Sequence, residues 1–102
     1  MRKANVFVNK NFAGVLEEIT SDQYRFSYDE HYKGRPISLT MPTKKSTYEF
    51  NRFPPFFEGL LPEGVQLEIL LRKYKLDKHD YFGQLLQVGK DVVGAITIEE
   101  MK

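Results

Sequence analysis

Apolar and polar residues alternate through the first third of the chain. Val6 and Val8 alternate with Phe7, and Asn9-Lys10-Asn11 follows with turn chemistry. Apolar positions resume from Phe12 to Ile19 around Gly14. This predicts an opening hairpin, with Gly14 at a bulge or a close backbone approach. Ser21-Asp22 marks the next turn. Tyr24, Phe26 and Tyr28 then alternate with Gln23, Arg25 and Ser27, the clearest period-two strand in the sequence, with its aromatic face inward. Lys33-Gly34-Arg35-Pro36 reads as a loop. Ile37 to Met41 alternates again up to Pro42 and predicts a fourth strand. The polar stretch from Thr43 to Arg52 lacks a period and reads as a mobile surface loop.

The second half changes to a helical period. Phe53 to Leu61 is an apolar stretch containing Pro54-Pro55 and ended by Pro62. Prolines suit the first turn of a short helix, where the missing N–H is unpaired anyway. Pro62-Glu63-Gly64 starts a second helix. Its Leu67, Leu70, Leu71 and Tyr74 form one buried stripe, with Glu63 in the first turn and Arg72/Lys73 in the last. A third helix is announced by Asp77 as N-cap, with Asp80 in the style of a capping box. Tyr81, Phe82, Leu85, Leu86 and Val88 are its apolar residues and Gly89 its C′ residue. Val92 to Ile98 returns to a β pattern around Gly94-Ala95. The expected fold class is therefore α+β. It has a small curled or barrel-like antiparallel sheet of about five strands, with three short helices inserted before the last strand, which closes it.

Composition narrows the reading. The chain's 102 residues suit a single domain, 1–102. Hydrophobic residues make up 41%, enough for one core without crosslinks. The absence of cysteine excludes disulfides, thiolate metal sites and cysteine nucleophiles. No apolar run follows Arg2-Lys3, and none approaches the ~20 residues that span a bilayer. A cytoplasmic chain without membrane contact is the expectation. Net charge is +1, from 15 basic and 14 acidic side chains. The basic groups Arg2/Lys3, Lys44/Lys45 and Arg72/Lys73 with Lys75 then read as solvated surface charge, and no direct nucleic-acid partner is expected.

Catalytic chemistry finds no foothold. His31 and His79 lack a second ligand at metal spacing, and no Gly-x-Ser-x-Gly surrounds a serine. Asp80-Tyr81-Phe82-Gly83 brushes against the kinase Asp-Phe-Gly signature but carries an inserted Tyr inside a capped helical pattern. Gly34, Gly59 and Gly64 are too scattered to cradle phosphate. Glu99-Glu100 reads as solvated. The expectation is a binding protein with no enzymatic activity, cofactor or metal. The segment from Phe56 to Gly64, within an aromatic-proline block that begins at Phe50, is its most telling feature. Phe50, Phe53, Phe56 and Phe57 read as core before they read as a protruding partner surface, which leaves Glu58 and Glu63 at the edge.

At this block the chain resembles a known family. Phe53-Pro54-Pro55-Phe56-Phe57-Glu58-Gly59-Leu60-Leu61-Pro62-Glu63-Gly64 is similar to the FPFFxxLLPEG signature in the N-terminal subdomain of HipA-type toxin kinases. Asp80 to Leu86 resembles that subdomain's next motif. Gly89-Lys90-Asp91-Val92-Val93-Gly94-Ala95 resembles its closing GxDxxGA element. Val6 to Asn9 and Phe12 to Leu16 match its opening hairpin. The chain ends before any kinase motif appears, so the resemblance extends to the HipS-type antitoxins of HipBST toxin–antitoxin systems. It implies an antitoxin that binds a HipT-like Ser/Thr kinase toxin directly and blocks it. A HipB-like helix-turn-helix DNA-binding protein completes the complex. It also implies that the kinase acts on an aminoacyl-tRNA synthetase. Two alternatives stand beside this: a structural subunit that completes and supports a split kinase, and a small nucleic-acid-binding β-barrel stacking bases on Tyr24, Phe26 and Tyr28. The expected partner-binding residues are Glu58, Gly59, Glu63, Gly64, Val65, Gln66 and Glu68, of which Val65 and Gln66 lie off the Leu67/Leu70/Leu71/Tyr74 stripe.

Overall fold

Two consecutive residues with positive φ begin the fold. Asn9 and Lys10, at 50° and 71°, join β1 (Lys3–Val8) to β2 (Asn11–Thr20). This is the tight turn whose twist matches that of the strands it joins. The computed structural model describes residues 2–91 and 94–101. The pairing passes from Val6↔Gly14 to Phe7↔Phe12, so Ala13 is the extra residue of a bulge. Ala13 is not idle, since its carbonyl accepts from Asp29 N at 2.7 Å. A Cβ on Gly14 would collide with the Ser27 carbonyl of β3 (Gln23–Tyr28). Both readings of Gly14 therefore hold: the bulge is its neighbour, and the backbone of the next strand is in contact with it.

Three further strand pairings complete an antiparallel sheet in the order β4-β3-β2-β1-β5, with β4 at Thr47–Phe50 and β5 at Ile96–Glu100. The α+β expectation holds, with five strands and three helices before the last strand. Closure does not occur. β4 and β5 are opposite edges of an open sheet, because β5 pairs with β1 alone. Of the final β pattern, Val92 and Val93 lie outside the described residues and the strand begins at Ile96.

The fourth strand is not where alternation put it. Ile37 and Met41 are buried, but as the two feet of a loop. The Tyr28 hydroxyl receives Ile37 N at 2.9 Å and donates to the Met41 carbonyl at 2.5 Å. One side chain thus satisfies backbone groups that a strand partner would have taken. Met41 N turns back to the Ser38 carbonyl at 3.0 Å. The stretch read as a mobile loop supplies β4 instead. Only Tyr48 and Phe50 in it are large and apolar, too few to display a period, yet they pair with Phe26 and Tyr24.

One face of the sheet is covered. Phe26, Leu16, Val6 and Ile98 are fully buried from the strand side. α1 (Pro55–Glu58) places Phe57 and α3 (Tyr81–Val88) places Phe82 and Leu85 against them, all fully buried. Phe26 and Phe57 lie 5.9 Å apart by ring centroid, and Tyr24 meets the Phe53 edge at 5.3 Å. Pro55 occupies the first position of α1, as expected. α2 (Gly64–Tyr74) is packed less completely. Leu70 is buried and Leu67 and Leu71 half-buried, but Tyr74 is 40% exposed, so the predicted stripe is only partly covered. Glu63 is the N-cap of α2, with Arg72 and Lys73 in the last turn.

Asp80, not Asp77, caps α3, and its Oδ1 accepts Gly83 N at 3.1 Å. Asp77 is spent one turn earlier, accepting His79 N at 2.7 Å. Gln84 holds that turn by donating to the Asp77 and Lys78 carbonyls at 3.3 and 3.1 Å. Gly89 is right-handed, with φ −58°, so it is not the left-handed C′ residue its type suggested. A side chain there would strike Ile98, whose N–H bonds the Gly89 carbonyl at 2.9 Å. The glycine lets β5 cross the end of α3.

Arg2 is likewise no solvated charge. Its Nε and Nη2 donate to Glu18 of β2 at 2.8 Å each. Nη1 and Nη2 donate to the Asp80 cap at 3.2 and 2.7 Å. The guanidinium carbon sits 5.2 Å from the Phe82 ring centre. Hydrogen bonding from Arg2 pulls both carboxyls below their ordinary range, and those carboxylates raise Arg2 further.

Two outcomes follow. Phe57→Ala should cost about 3–5 kcal/mol in urea unfolding, from lost transfer energy and a cavity. A loss that small as a surface substitution gives, about 0.5 kcal/mol, would contradict its central place. The two carboxyls have folded pKa values below their unfolded ones. Their contribution is complete above the unfolded value and is lost as pH falls through the folded one. Stability should therefore drop below about pH 4. Arg2→Met should flatten that drop and cost about 1 kcal/mol at neutral pH, a modest figure because the side chain is 35% exposed. The check is a series of thermal melts across pH.

Candidate protein-binding surface

The seven expected contact residues all reach the surface. Glu58 and Gly59 end α1, Glu63 stands at the N-cap position of α2 without a side-chain cap bond, and Gly64, Val65, Gln66 and Glu68 occupy its first turns. The division of the Phe56–Gly64 segment holds as well. Phe57 is buried and Phe56, Leu60 and Leu61 pack on the core, while Glu58, Glu63 and Gly64 face out. Among the described residues no basic side chain pairs with Glu58, Glu63 or Glu68 within 4.0 Å.

The apolar side of this surface extends further than expected. Val65 is 70% and Ile69 59% exposed, one turn apart on the outward face of α2. Behind them Ile69, Leu70, Tyr74 and Val88 line a shallow groove of about 280 Å³ between α2 and α3. The signal was in the sequence: Val65 and Ile69 stand at i, i+4, off the buried stripe. An apolar pair flanked by unpaired carboxylates is the anatomy of a protein interface, with a dry centre and a charged rim.

Other parts of the surface carry less. The outer face of the sheet holds a ladder of charges. Lys3 Nζ lies 3.6 Å from Glu17, Arg25 3.9 Å from Glu17, and Arg25 3.3 Å from Glu49. Phe7 and Phe12 meet edge to face beside it at 5.8 Å. Tyr24, Phe26 and Tyr28 are buried, so they offer no stacking platform for bases, and the barrel imagined for that role is an open sheet. Asp80 and Phe82, which brushed against the kinase signature, are the α3 cap and a core residue. Among the described residues no three His, Cys, Asp or Glu side chains gather as a metal site, and no helix is long and apolar enough to cross a membrane. A cavity of about 710 Å³ is an open depression beside α3 whose Arg2 is already committed to Glu18 and Asp80.

Comparison with known proteins places this surface in context. The HipA N-terminal domain family matches residues 4–99. An uncharacterized protein of Haemophilus influenzae is 33% identical over 102 residues, covering 100% of this chain and 95% of its own length. The putative kinase Y4mE of Sinorhizobium fredii is 26% identical over 102 residues, 96% of this chain but 24% of the kinase. The solved N-terminal domain of HipA toxin superposes with a TM-score of 0.79 at 31% identity, covering 100% of this chain and 94% of that one. In the complex of Shewanella oneidensis HipA with HipB and operator DNA, a TM-score of 0.72 at 22% identity shows the same fold over 94% of this chain and 23% of that one. The chain thus spans about a quarter of the putative kinase and of the Shewanella protein. On a family match over residues 4–99, with the same fold in the solved HipA N-terminal domain, the chain belongs to the HipA N-terminal domain family.

Proposed function

We infer that this chain is a non-catalytic antitoxin, which binds a separate HipA- or HipT-type Ser/Thr kinase toxin and holds it inactive. The observation that carries this reading is the outward face of α2. Val65 and Ile69 stay exposed on a helix that Leu70 anchors to the body, and beside them Glu63 and Glu68 have no ion-pair partner among the described residues. A lone exposed leucine needs no explanation, but an apolar pair with an adjoining groove suits a partner. Family membership supports a HipA-type kinase as the partner class. Y4mE carries the related segment within a chain about four times as long, where, on our reading, such a face is met by the rest of the same polypeptide. Supplied as a separate chain, the contact becomes intermolecular. It then has a finite affinity and depends on concentration, which is what a neutralising subunit requires.

The antitoxin acts in the cytoplasm, without direct contact to nucleic acid or membrane. A HipB-like helix-turn-helix protein joins the same complex, as HipB accompanies HipA in the Shewanella assembly. A second reading uses the same face: a structural subunit that completes a split kinase and supports its activity.

Co-expression with the cognate kinase should restore growth, and added protein should lower kinase phosphorylation in vitro. Phosphorylation that rises with added protein would establish the supporting subunit instead. Ile69→Asp should weaken kinase binding about tenfold or more, as loss of an apolar anchor does. Glu63→Lys or Glu68→Lys should weaken it more than Lys44→Glu. Equal effects of the three reversals, read by calorimetry, would move the contact away from α2.

A further inference from the structure

β4 is hydrogen-bonded to β3 on one side only. Its other side presents unpaired N–H and C=O groups, a template on which another extended chain can pair. Proteins commonly guard such an edge with charge. Within Thr47–Phe50 the only charged residue is Glu49, and its carboxylate is drawn to Arg25 at 3.3 Å. Beside the strand lies an apolar groove of about 540 Å³, lined by Met41, Tyr48, Phe50, Arg52, Pro55 and Phe56. Next to it Leu39 is 97% exposed at the crest of a turn. That turn is held by Met41 N to the Ser38 carbonyl at 3.0 Å and Thr40 N to Ser38 Oγ at 3.2 Å. An apolar side chain raised on a hydrogen-bonded turn costs little further ordering when a partner covers it.

The charge around this groove is mostly positive, with Glu49 the one acidic side chain of its lining. Residues 33–57 carry five cationic side chains and one acidic one, while the rest of the chain carries ten and thirteen. The near-neutral total hides this asymmetry. Lys44, Lys45 and Arg52, which flank β4, are exposed, and among the described residues none has a carboxylate within 4.0 Å.

We propose that the β4 edge is a docking site for an extended acidic segment of a partner protein, which adds to the sheet as a further strand. Its backbone pairs with Thr47–Phe50. Because strand side chains alternate, every second residue enters the groove against Tyr48, Phe50 and Phe56. Its carboxylates meet Lys44, Lys45 and Arg52. A second copy of this chain is disfavoured, since antiparallel pairing about the middle of β4 would set Lys45 of one copy against Arg52 of the other. A nucleic acid would use the cations but neither the apolar groove nor the free backbone edge. The site shares no residue with the outward face of α2, so it stands whether or not the kinase reading does.

The test uses the purified chain and a short fluorescein-labelled peptide of alternating Glu and Val, read by anisotropy. The acidic peptide should bind, and a Lys-for-Glu counterpart should bind at least about tenfold more weakly, as charge complementarity requires. The double variant Lys45→Glu/Arg52→Glu should lose a similar factor while its circular dichroism stays unchanged. N-methylation of alternate peptide amides should abolish binding in the register that removes the donors to β4. Val65→Asp should leave the affinity as it was. Equal binding of the N-methylated peptides in both registers overturns the proposal, because a purely electrostatic contact would ignore them. So does equal competition by an oligothymidylate of the same charge. A dimer of the chain alone, dissolved by the Lys45/Arg52 reversal, would assign the edge to a second copy and also overturn it.

Discussion

The sheet has one apolar face, and too few helical residues are available to cover it. That constraint organises the molecule. Phe57 comes from a helix of four residues and Phe82 from one of eight, and both are fully buried, meeting Phe26 and Tyr24 of β3. Such short helices have little stability of their own. Pro55 pre-sets the first turn of α1 and Asp80 caps α3, so each helix is begun by one residue and held by one phenylalanine. α2 receives only Leu70 as a buried anchor. It is the element the core can spare, and its outward face is free for another molecule.

Arg2 addresses a different problem, the attachment of α3 to the far side of the sheet. The guanidinium joins the start of the chain, the end of β2 and the cap of α3, with Phe82 under its plane. Asp80 thereby serves twice, accepting Gly83 N for the helix and Arg2 for the fold. A planar fork with several donors can satisfy two carboxylates at once, which a lysine cannot do. Electrostatics in this protein is therefore uneven. The close ion pairs sit at Arg2, looser ones run along the outer ladder, and among the described residues the charge without an ion-pair partner lies at the surface: carboxylates on α2, cations beside β4.

The open sheet leaves β4 as an accessible edge. A closed barrel would have no edge. Here β5 is tied down, since Ile98 bonds Gly89 of α3 and Asn9 N bonds the Ala95 carbonyl at 2.9 Å. β4 is protected on one flank only by the loop folded on Tyr28.

Much was legible in the residues themselves, for local reasons. The hairpin at Asn9-Lys10, the aromatic alternation of β3, the prolines opening α1 and the apolar spacing of α3 all express short-range rules, and all stand in the structure. The family motifs, and the split of Phe56–Gly64 into buried phenylalanines and outward carboxylates, were readable for the same reason. What the tertiary structure decided depends on partners distant in sequence. Tyr28 folds Ile37–Met41 into a loop that its alternation does not forbid. Phe26 and Tyr24 make a strand of Thr47–Phe50, which has no visible period. Arg2 becomes structural because Asp80, 78 positions away, lies within hydrogen-bond reach. Closure failed because β5 found β1 rather than β4. A sequence displays what each segment prefers; whether that preference is met, or redirected, is settled by which hydrogen-bonding and apolar partners the rest of the chain brings to it.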